Sequence, residues 1–335
     1  MKKKMSCGLF VLAVCCFCLI AFPVLSMAGP VVLKLAHSAP PKTLYDKSAN
    51  KFAELVAHNT GGKVKVKVFG SAQFGGLGQQ FAQVKAGAID MVFSDYFAAF
   101  IVEPKPKNFF VTLVPYLFDS WDHFHKFQKS DLFRSMMAKA EKGGNMKFVG
   151  NLGDRSYRIL TTSDRKVVSP ADCKGLKLRV PPAPPYVEVW KQWGATPTPT
   201  SAKEIYTSLK SGLVDGQDQT ILVNLDAKFY EVQKYAMKMD HVPSTMSTWI
   251  NRDKWDSLDP DTQAAILKSA EETDAYINKE VARLTPKAEK GLQDNGMIFV
   301  EPDIKAFKEM AGKWAVEVDG KFWEKGLYGK IKAIK

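Results

Sequence analysis

The chain has 335 residues with 46% hydrophobic and 11% aromatic side chains, enough for two medium-sized globular domains. Its formal net charge of +12 favours anionic ligands or surfaces, because the field of the whole protein attracts them. The lysines are scattered and form no basic run interleaved with aromatic residues, so nucleic acid is not the expected partner.

Residues 1–28 have the pattern of a secretory signal peptide. Lysines occupy 2–4, an apolar core covers 9–25, and Ser26-Met27-Ala28 is a small-x-small cleavage site. The alternative is a retained membrane anchor, which Pro23 and the short core disfavour. No other stretch of the sequence is long and apolar enough to cross a membrane. We therefore expect a mature protein that is exported to the periplasm.

Cysteine usage limits the ways in which the protein can be stabilised. Four of the five cysteines lie within residues 1–28, so the mature chain would keep only Cys173 and no intramolecular disulfide. Lipid attachment at Cys15 or Cys16 is a poor match, because Leu12-Ala13-Val14 precedes them. We expect Cys173 to lie in a structural turn and the stability to come from a hydrophobic core.

The first half of the mature chain predicts a βαβαβ unit of a doubly wound domain. The second strand alternates apolar and polar residues, and the first helix carries an apolar stripe. The glycine-rich loop 70–78 lacks the G-x-G-x-x-G spacing of a dinucleotide site. The predicted elements are strands at 31–36, 64–68 and 89–93 and helices at 42–59 and 77–86.

Polar residues follow the first and third of these predicted strands. His37 comes directly after the first strand, and Ser94, Asp95 and Tyr96 come after the third. Ligands of open α/β sheets bind at the carboxyl ends of the strands, so these four side chains are candidate ligand contacts. Asp95 could accept a hydrogen bond from a ligand hydroxyl or ammonium group, or it could cap the next helix; the sequence leaves both open.

Motifs of metal and enzyme chemistry are missing from the sequence. The five histidines form no ligand set, and His123 and His125 point apart on a helix predicted at 121–128. There is no H-E-x-x-H, G-x-S-x-G or Walker motif. A second helix at 131–142 and a strand at 146–152 are predicted after this segment. We expect no metal, no cofactor and no catalytic activity.

The segment GLKLRV at 175–180 is the most informative stretch. Its apolar residues alternate with Lys177 and Arg179, which predicts a strand. Two prolines follow at 181–182 and cannot donate hydrogen bonds to a neighbouring strand, so the strand should end there. Arg179 therefore lies at the carboxyl end of a strand, where ligands of such sheets bind.

The elements after this strand lead to a second group of polar residues. A helix is predicted at 186–193, and the capping box S-A-K-E then begins another helix. A short buried strand is predicted at 213–215, with Gln217, Asp218 and Gln219 at its carboxyl end. These side chains are predicted to lie at the same edge of the sheet as Arg179.

The last third of the sequence predicts a return to the first domain and a long helix. The return is expected at 248–250, and Asp259-Pro260 begins the long helix with a cap followed by proline at the first helical position. Pro286 is expected to end or kink this helix. A strand at 297–300 and a closing helix at 303–322 follow.

The order and spacing of four segments resemble one known family. The segments are GLKLRV, GATPTP, a helix ending in SGLVDGQDQ, and FYEVQKY. They are similar to the DctP family, the extracytoplasmic solute-binding proteins of TRAP transporters (tripartite ATP-independent periplasmic transporters). The resemblance implies an α/β periplasmic-binding-protein fold with two lobes, each a mostly parallel sheet flanked by helices, and a long helix spanning both. The implied lobes are 29–154 with 245–284, and 155–244 with 285–335.

The resemblance also implies a function. A periplasmic solute-binding protein, expected to be a monomer, would capture an organic acid anion between the lobes and deliver it to a TRAP membrane permease. The alternatives are a ligand-binding input module for a sensor, or a binding protein for a zwitterionic or amino-acid-like solute. Dicarboxylates, keto acids, sugar acids and aromatic acids all stay open. Closure would bend the chain near Gly153, near Ser244 and in the long helix before Pro286.

Individual residues receive roles from the same resemblance. The family's arginine in the K-[IL]-R-V context, here Arg179, grips the ligand carboxylate with both guanidinium nitrogens, whose planar fork matches a carboxylate. Arg158 matches an R-x-L-T element and is preferred over Arg155 as the second basic contact. Gln219 stands where many members have Asn, and Ala202 where many have a bulky Phe. Both departures predict a ligand larger than a four-carbon diacid.

Overall fold

The computed structural model describes residues 29–335, and the predicted signal peptide lies outside the described residues. The described part is an α/β structure with two mixed sheets, each flanked by helices. None of the helices between residues 29 and 335 is long and apolar enough to span a membrane.

The described residues form eleven strands and eleven α-helices, with short 3-10 helices between them. The strands are Val31–Ala36 (β1), Val64–Phe69 (β2), Met91–Asp95 (β3), Met146–Asp154 (β4), Arg158–Thr162 (β5), Lys177–Val180 (β6), Thr196–Pro199 (β7), Gly216–Thr220 (β8), Tyr235–Met237 (β9), Thr245–Asn251 (β10) and Ile298–Val300 (β11). The helices are Leu44–Asn59 (α1), Leu77–Lys85 (α2), Trp121–Lys129 (α3), Asp131–Gly144 (α4), Pro184–Gln192 (α5), Ile205–Lys210 (α6), Ile221–Asp226 (α7), Arg252–Asp256 (α8), Pro260–Asp294 (α9), Ile304–Glu317 (α10) and Leu327–Lys332 (α11).

The first sheet confirms the predicted βαβαβ unit. Its strand order is β2-β1-β3-β10-β4, with β1 parallel to β2 and β3. The returning strand β10 runs antiparallel between β3 and β4. The side chain of Thr43 caps α1, which buries Ala49, Phe52 and Val56 in one cluster with residues of β1. Burial of each large apolar side chain contributes about 1.5–3 kcal/mol, so this face fixes the helix on the sheet.

The second sheet, in the order β11-β9-β5-β8-β6-β7, corrects one prediction. The apolar pattern predicts a strand at 213–215, but Leu213 is 57% exposed and the strand is Gly216–Thr220 instead. Gly216 allows β8 to pair closely with β5, because a Cβ atom there would lie 2.4 Å from the carbonyl oxygen of Thr161. Every residue of β8 is buried although most are polar. Hydrophobic alternation cannot reveal such a strand.

The long helix α9 contacts elements of both the first-sheet region and the second-sheet region. Asp259 caps it by accepting the N–H of Thr262, and it packs on β4 and α1 near its start and on α7 further along. It continues past Pro286, so of the two outcomes expected there, an end or a kink, the structure rules out the end. Gly153 of β4 has φ +112°, and a Cβ atom there would lie 2.1 Å from Cγ2 of Ile277. Only glycine allows this close approach of strand and helix.

Two segments of the chain cross between the sheets side by side. The first leads from β4 into β5, and the second leads from β9 into β10. The N–H of Arg155 on the first segment donates to the carbonyl oxygen of Ser244 on the second at 2.9 Å. We propose the lobe bounds 29–154 with 245–284 and 155–244 with 285–335, which divide the two sheets and leave α9 as a third crossing.

The C-terminal segment packs on both regions. The predicted closing helix at 303–322 is shorter, Ile304–Glu317, and its buried face includes Phe307 and Trp314. It packs on α5, whereas α11 packs on the 3-10 helix Asn108–Leu113 of the first region. The C-terminal residues therefore contact both regions.

Candidate functional site

Charged side chains from both sheets converge beside the crossing segments. The second sheet contributes Arg158 at the start of β5, Arg179 near the end of β6, and Asp218 in β8. The first sheet contributes Asp95 at the end of β3, and Arg155 lies on the segment between β4 and β5. Because β5, β8 and β6 are neighbours in one sheet, the first three side chains share a rigid base.

Arg158 is held by a fully buried carboxylate. Its Nε and Nη2 lie 2.5 Å from Oδ1 of Asp218, and Nη2 also donates to the Asp218 carbonyl oxygen at 3.0 Å. Nε2 of His241 lies 2.7 Å from the other carboxylate oxygen. Burial would raise the pKa of Asp218, but Arg158 and His241 outweigh it and hold this pKa well below its usual range. Burial likewise lowers the pKa of Arg158, and Asp218 outweighs it and raises this pKa.

Arg155 connects the two sheets. Its Nη1 donates to both carboxylate oxygens of Asp95 at 2.9 Å, and its Nη2 donates to Oε1 of Gln219 at 2.9 Å. Ser244 donates its hydroxyl to Oδ1 of Asp95 at 3.0 Å. The guanidinium lies 5.4 Å from the centre of the Tyr45 ring. Both oxygens of Asp95 are thus engaged by residues of the crossing segments, and the long amide of Gln219 reaches Arg155.

Arg179 has no such carboxylate partner among residues 29–335. It is only 3% exposed, and its Nε and Nη2 both donate to the backbone carbonyl oxygen of Thr200, at 3.1 and 2.7 Å. It forms no ion pair with any carboxylate within residues 29–335. Burial, reinforced by the nearby charge of Arg158, lowers the pKa of Arg179 to about 10. A buried guanidinium without a carboxylate partner attracts an anion, because an unpaired buried charge is costly.

The remaining predicted site residues lie at different depths around this cluster. Ser94 is buried, and its backbone carbonyl oxygen accepts from Ser247. His37 is buried with its Nε2 3.4 Å from Asp46, and its ring lies 6.4 Å from the Tyr45 ring. Neither side chain contacts the three arginines, so a direct ligand contact by either stays a prediction.

Two predicted residues lie outside the cluster. The ring of Tyr96 lies inside the hydrophobic core of the first region, near Phe109 and Phe124, so Tyr96 belongs to the core and not to the charged site. The strand turns into a 3-10 helix at this point, which directs consecutive side chains to different surroundings. Ala202 is exposed in the 3-10 helix Ala202–Glu204 and forms no wall of a buried pocket.

The structure adds residues that the sequence did not indicate. His241 and Tyr186 contact the buried pair, Tyr186 with its ring 5.5 Å from the Arg158 guanidinium. Ser244 and Tyr45 hold Asp95 and Arg155. Each of these residues lies far from its partner in the chain, and no local motif marks it. Ser244 was expected at a crossing, but its contact with Asp95 has no sequence signal.

Charge locates this site more clearly than cavity volume does. Two surface cavities of about 360 Å³ lie along the surfaces formed by α1 with α9 and by α2 with α8, and neither is lined by the three arginines. No group of three or more His, Cys, Asp or Glu side chains able to hold a metal occurs within residues 29–335. Cys173 is buried, and burial raises the pKa of its thiol to about 12.

Two sheets with a cluster of arginines beside their crossing segments fit the class of extracellular solute-binding proteins. The model of the bacterial extracellular solute-binding protein family 7, DctP, matches residues 35–318, and the chain belongs to this family. It is thus a TRAP-type solute-binding protein of a periplasmic family, as the sequence resemblance predicted.

Individual relatives cover most of the chain. The 2,3-diketo-L-gulonate-binding periplasmic protein YiaO of Escherichia coli is 32% identical over 79% of this chain and 80% of its own. A TRAP periplasmic solute-binding protein of Roseobacter denitrificans, solved with L-galactonate, superposes with a TM-score of 0.82 at 27% identity, over 91% of this chain and 99% of that one. A TRAP periplasmic solute-binding protein of Citrobacter koseri, solved with D-glucuronate, superposes with a TM-score of 0.81 at 25% identity, over 91% of this chain and 99% of that one. These similarities confirm the two-lobed α/β class.

Proposed function

We propose that this protein captures an organic acid anion between its two sheets and delivers it to a TRAP membrane permease. In this proposal Arg179 forms a bidentate pair with the ligand carboxylate. The observation that carries it is the state of Arg179, a buried guanidinium whose only hydrogen bonds within residues 29–335 go to the backbone carbonyl of Thr200. Arg155 and Arg158 each have a carboxylate already.

The energetics favour Arg179 as an anchor that needs further contacts. A hydrogen bond to a charged group contributes about 1.5–3 kcal/mol net. A micromolar site needs about −8 kcal/mol in total. One bidentate pair therefore supplies a large part of the affinity, and hydrogen bonds to the rest of the ligand supply the remainder. Arg158 lies close enough to Arg179 to lower its pKa, so it adds to the positive field without giving up Asp218.

The arrangement favours a simple acid over a zwitterionic solute. An ammonium group would need a free carboxylate, but both oxygens of Asp95 accept from Arg155, and Asp218 is enclosed by Arg158 and His241. The relatives from R. denitrificans and C. koseri were solved with galactonate and glucuronate, which supports a hydroxylated acid as ligand here. The exposure of Ala202 removes one of the two grounds for a ligand larger than a four-carbon diacid, and the size of the ligand stays a prediction that rests on Gln219.

The test is the replacement of Arg179. We expect Arg179→Ala to weaken binding of the acid roughly tenfold or more while the protein stays folded. Arg179→Lys should also bind poorly, because an ammonium group cannot reproduce the planar fork. Calorimetry measures the dissociation constants, and melting curves check the fold.

Arg283→Ala is the matched control, since Arg283 is an exposed arginine paired within α9. It should bind as the wild type does. An unchanged dissociation constant in Arg179→Ala would contradict the proposal. Delivery is tested separately: a deletion strain that keeps full uptake of the bound acid but loses a transcriptional response to it would indicate a sensor module instead.

A further inference from the structure

We propose that this site selects acids that carry a single negative charge, and that Asp95 is the residue that discriminates against a second carboxylate. The inference rests on the proposed function, in which Arg179 binds the first carboxylate. It concerns the other charged residues of the site, which determine whether the ligand can carry a second carboxylate.

The first step is a count of charges. Three guanidinium groups, those of Arg155, Arg158 and Arg179, lie in the cluster with two carboxylates, Asp95 and Asp218. With His241 uncharged, the cluster keeps one excess positive charge. That excess is located at Arg179, the only one of the three without a carboxylate partner within residues 29–335. One ligand carboxylate therefore neutralises the site.

His241 does not change this count. Its Nε2 lies 2.7 Å from Asp218, whereas its Nδ1 is buried and has no hydrogen-bond partner within residues 29–335. A second proton on the ring would have to occupy Nδ1 without an acceptor, which is unfavourable for a buried donor. The geometry therefore suits an imidazole with one proton, on Nε2, donated to Asp218.

Arg155 already has a carboxylate partner, which disfavours a second one beside it. Its Nη1 is shared between the two oxygens of Asp95, and its Nη2 is bonded to Gln219. Ser244 holds Asp95 in this position. A ligand carboxylate that approached Arg155 would come close to the negative charge of Asp95, and like charges in a partly buried site repel strongly. Arg158 is enclosed in the same way by Asp218.

Neutral polar groups are better matched to the site than a second charge. The hydroxyls of Tyr186 and Thr200 are buried without a hydrogen-bond partner within residues 29–335. Tyr186 lies over Arg158, and Thr200 supplies the carbonyl oxygen that holds Arg179. Ligand hydroxyls or carbonyl oxygens can pair with such groups, and buried polar groups favour being paired. The expected ligand is a monocarboxylate with hydroxyl or keto groups along its chain.

The test compares acids that differ only in the second charge. Each monoacid is paired with the diacid of the same carbon chain, for example galactonate with galactarate, erythronate with tartrate, and 4-hydroxybutyrate with succinate. Calorimetry measures the dissociation constants of both members of each pair. We expect the tightest ligand to be a monoacid and its diacid partner to bind roughly tenfold more weakly or worse.

A variant then assigns the selectivity. Asp95→Asn keeps the shape of the side chain but removes its charge, which leaves Arg155 free for a carboxylate. The ratio of diacid to monoacid affinity should rise roughly tenfold. Asp131→Asn is the matched control, because Asp131 is an exposed aspartate paired with Arg134. It should leave the ratio unchanged.

The outcomes separate this inference from the proposed function. Tight binding of a diacid by the wild type that is lost in Arg179→Ala would overturn the single-charge inference and leave the proposed function standing. Acid binding that is indifferent to Arg179→Ala would overturn the proposed function. Binding of no acid in the panel would overturn both. An unchanged affinity ratio in folded Asp95→Asn would remove Asp95 from the explanation.

Discussion

The charged site has one end at the second sheet and one at the first sheet, and the two ends balance their charges differently. At the second sheet, Arg158 and Arg179 have one carboxylate between them, Asp218, and all three are buried. At the first sheet, Arg155 and Asp95 form a one-to-one ion pair, and the Asp95 side chain is 17% exposed. The second-sheet end is therefore buried and positive, whereas the first-sheet end is neutral and partly exposed.

This difference separates two tasks of a binding site. The second-sheet end lies on three neighbouring strands, so its positive charge is fixed in place before a ligand arrives. Such preorganisation suits an anchor, because little ordering is needed on binding. The first-sheet end involves Arg155 of a crossing segment, and it links the sheets through Gln219. It is suited to discriminating among ligands and to following the relative movement of the lobes.

The largest effect should follow from breaking the buried end. Asp218→Ala leaves Arg158 buried without its carboxylate, and breaking a buried ion pair costs about 3–5 kcal/mol. Asp95→Ala should lower the free energy of unfolding less, because its pair with Arg155 is partly exposed. Urea unfolding of both variants measures the difference. Equal losses of stability would contradict the distinction between the two ends.

The dependence on pH provides a control for the same variant. The pKa of Asp218 is lower in the folded protein than its ordinary value, so its stabilising contribution is present above that value and is lost as the pH falls through the folded pKa. The advantage of wild type over Asp218→Ala should be constant above about pH 5 and shrink below about pH 4. An advantage independent of pH in acid would mean that the carboxylate charge is not its source.

A smaller effect on stability is expected from the hydrogen bond between Arg155 and Gln219, which links the two ends. Gln219→Ala removes the bond from Nη2 of Arg155, one hydrogen bond to a charged group, and should lower the free energy of unfolding by about 1.5–3 kcal/mol. The preference for a monoacid should persist, because Asp95 still neutralises Arg155. Urea unfolding and calorimetry with one acid pair measure both quantities. A loss of selectivity as large as in Asp95→Asn would show that Gln219, not Asp95, controls the choice of ligand.

The sequence located Arg179 at its strand end but did not reveal the balance of charges around it. Alternation in GLKLRV and the following prolines placed Arg179 at the end of a strand, and the structure has it near the end of β6. Alternation failed for β8, because Gln217, Asp218 and Gln219 are buried by pairing with other polar groups and leave no apolar pattern. The sequence therefore predicted a strand at 213–215 with these polar residues after it, whereas they form the strand themselves.

The partners of the arginines could not be predicted because they are distant in the chain. Asp95 and Arg155 are brought together only when β10 pairs with β3 and β4, and His241 meets Asp218 only through the fold of the second sheet. The preference for Arg158 over Arg155 as a ligand contact came from the R-x-L-T match, which carries no information about their partners Asp218 and Asp95. Tyr96 was grouped with Asp95 by position alone, and the 3-10 helix places it in the core.

The smallest effect concerns the movement of the two ends relative to each other. Lobes joined by three crossings must close by bending at those crossings. A ligand that contacts Arg179 on the second sheet and residues of the first sheet has more contacts when the lobes are closed, and this differential affinity shifts the population towards closure. The shift should be small, because Arg155 already bonds to Asp95 and Gln219 on opposite sides. Small-angle scattering should detect a decrease in the radius of gyration with the bound acid and none with Arg179→Ala at the same concentration. A constant radius for a wild type that calorimetry shows to be saturated would mean that the ligand enters without closure, and that the first-sheet end selects its ligand while the lobes stay in one arrangement.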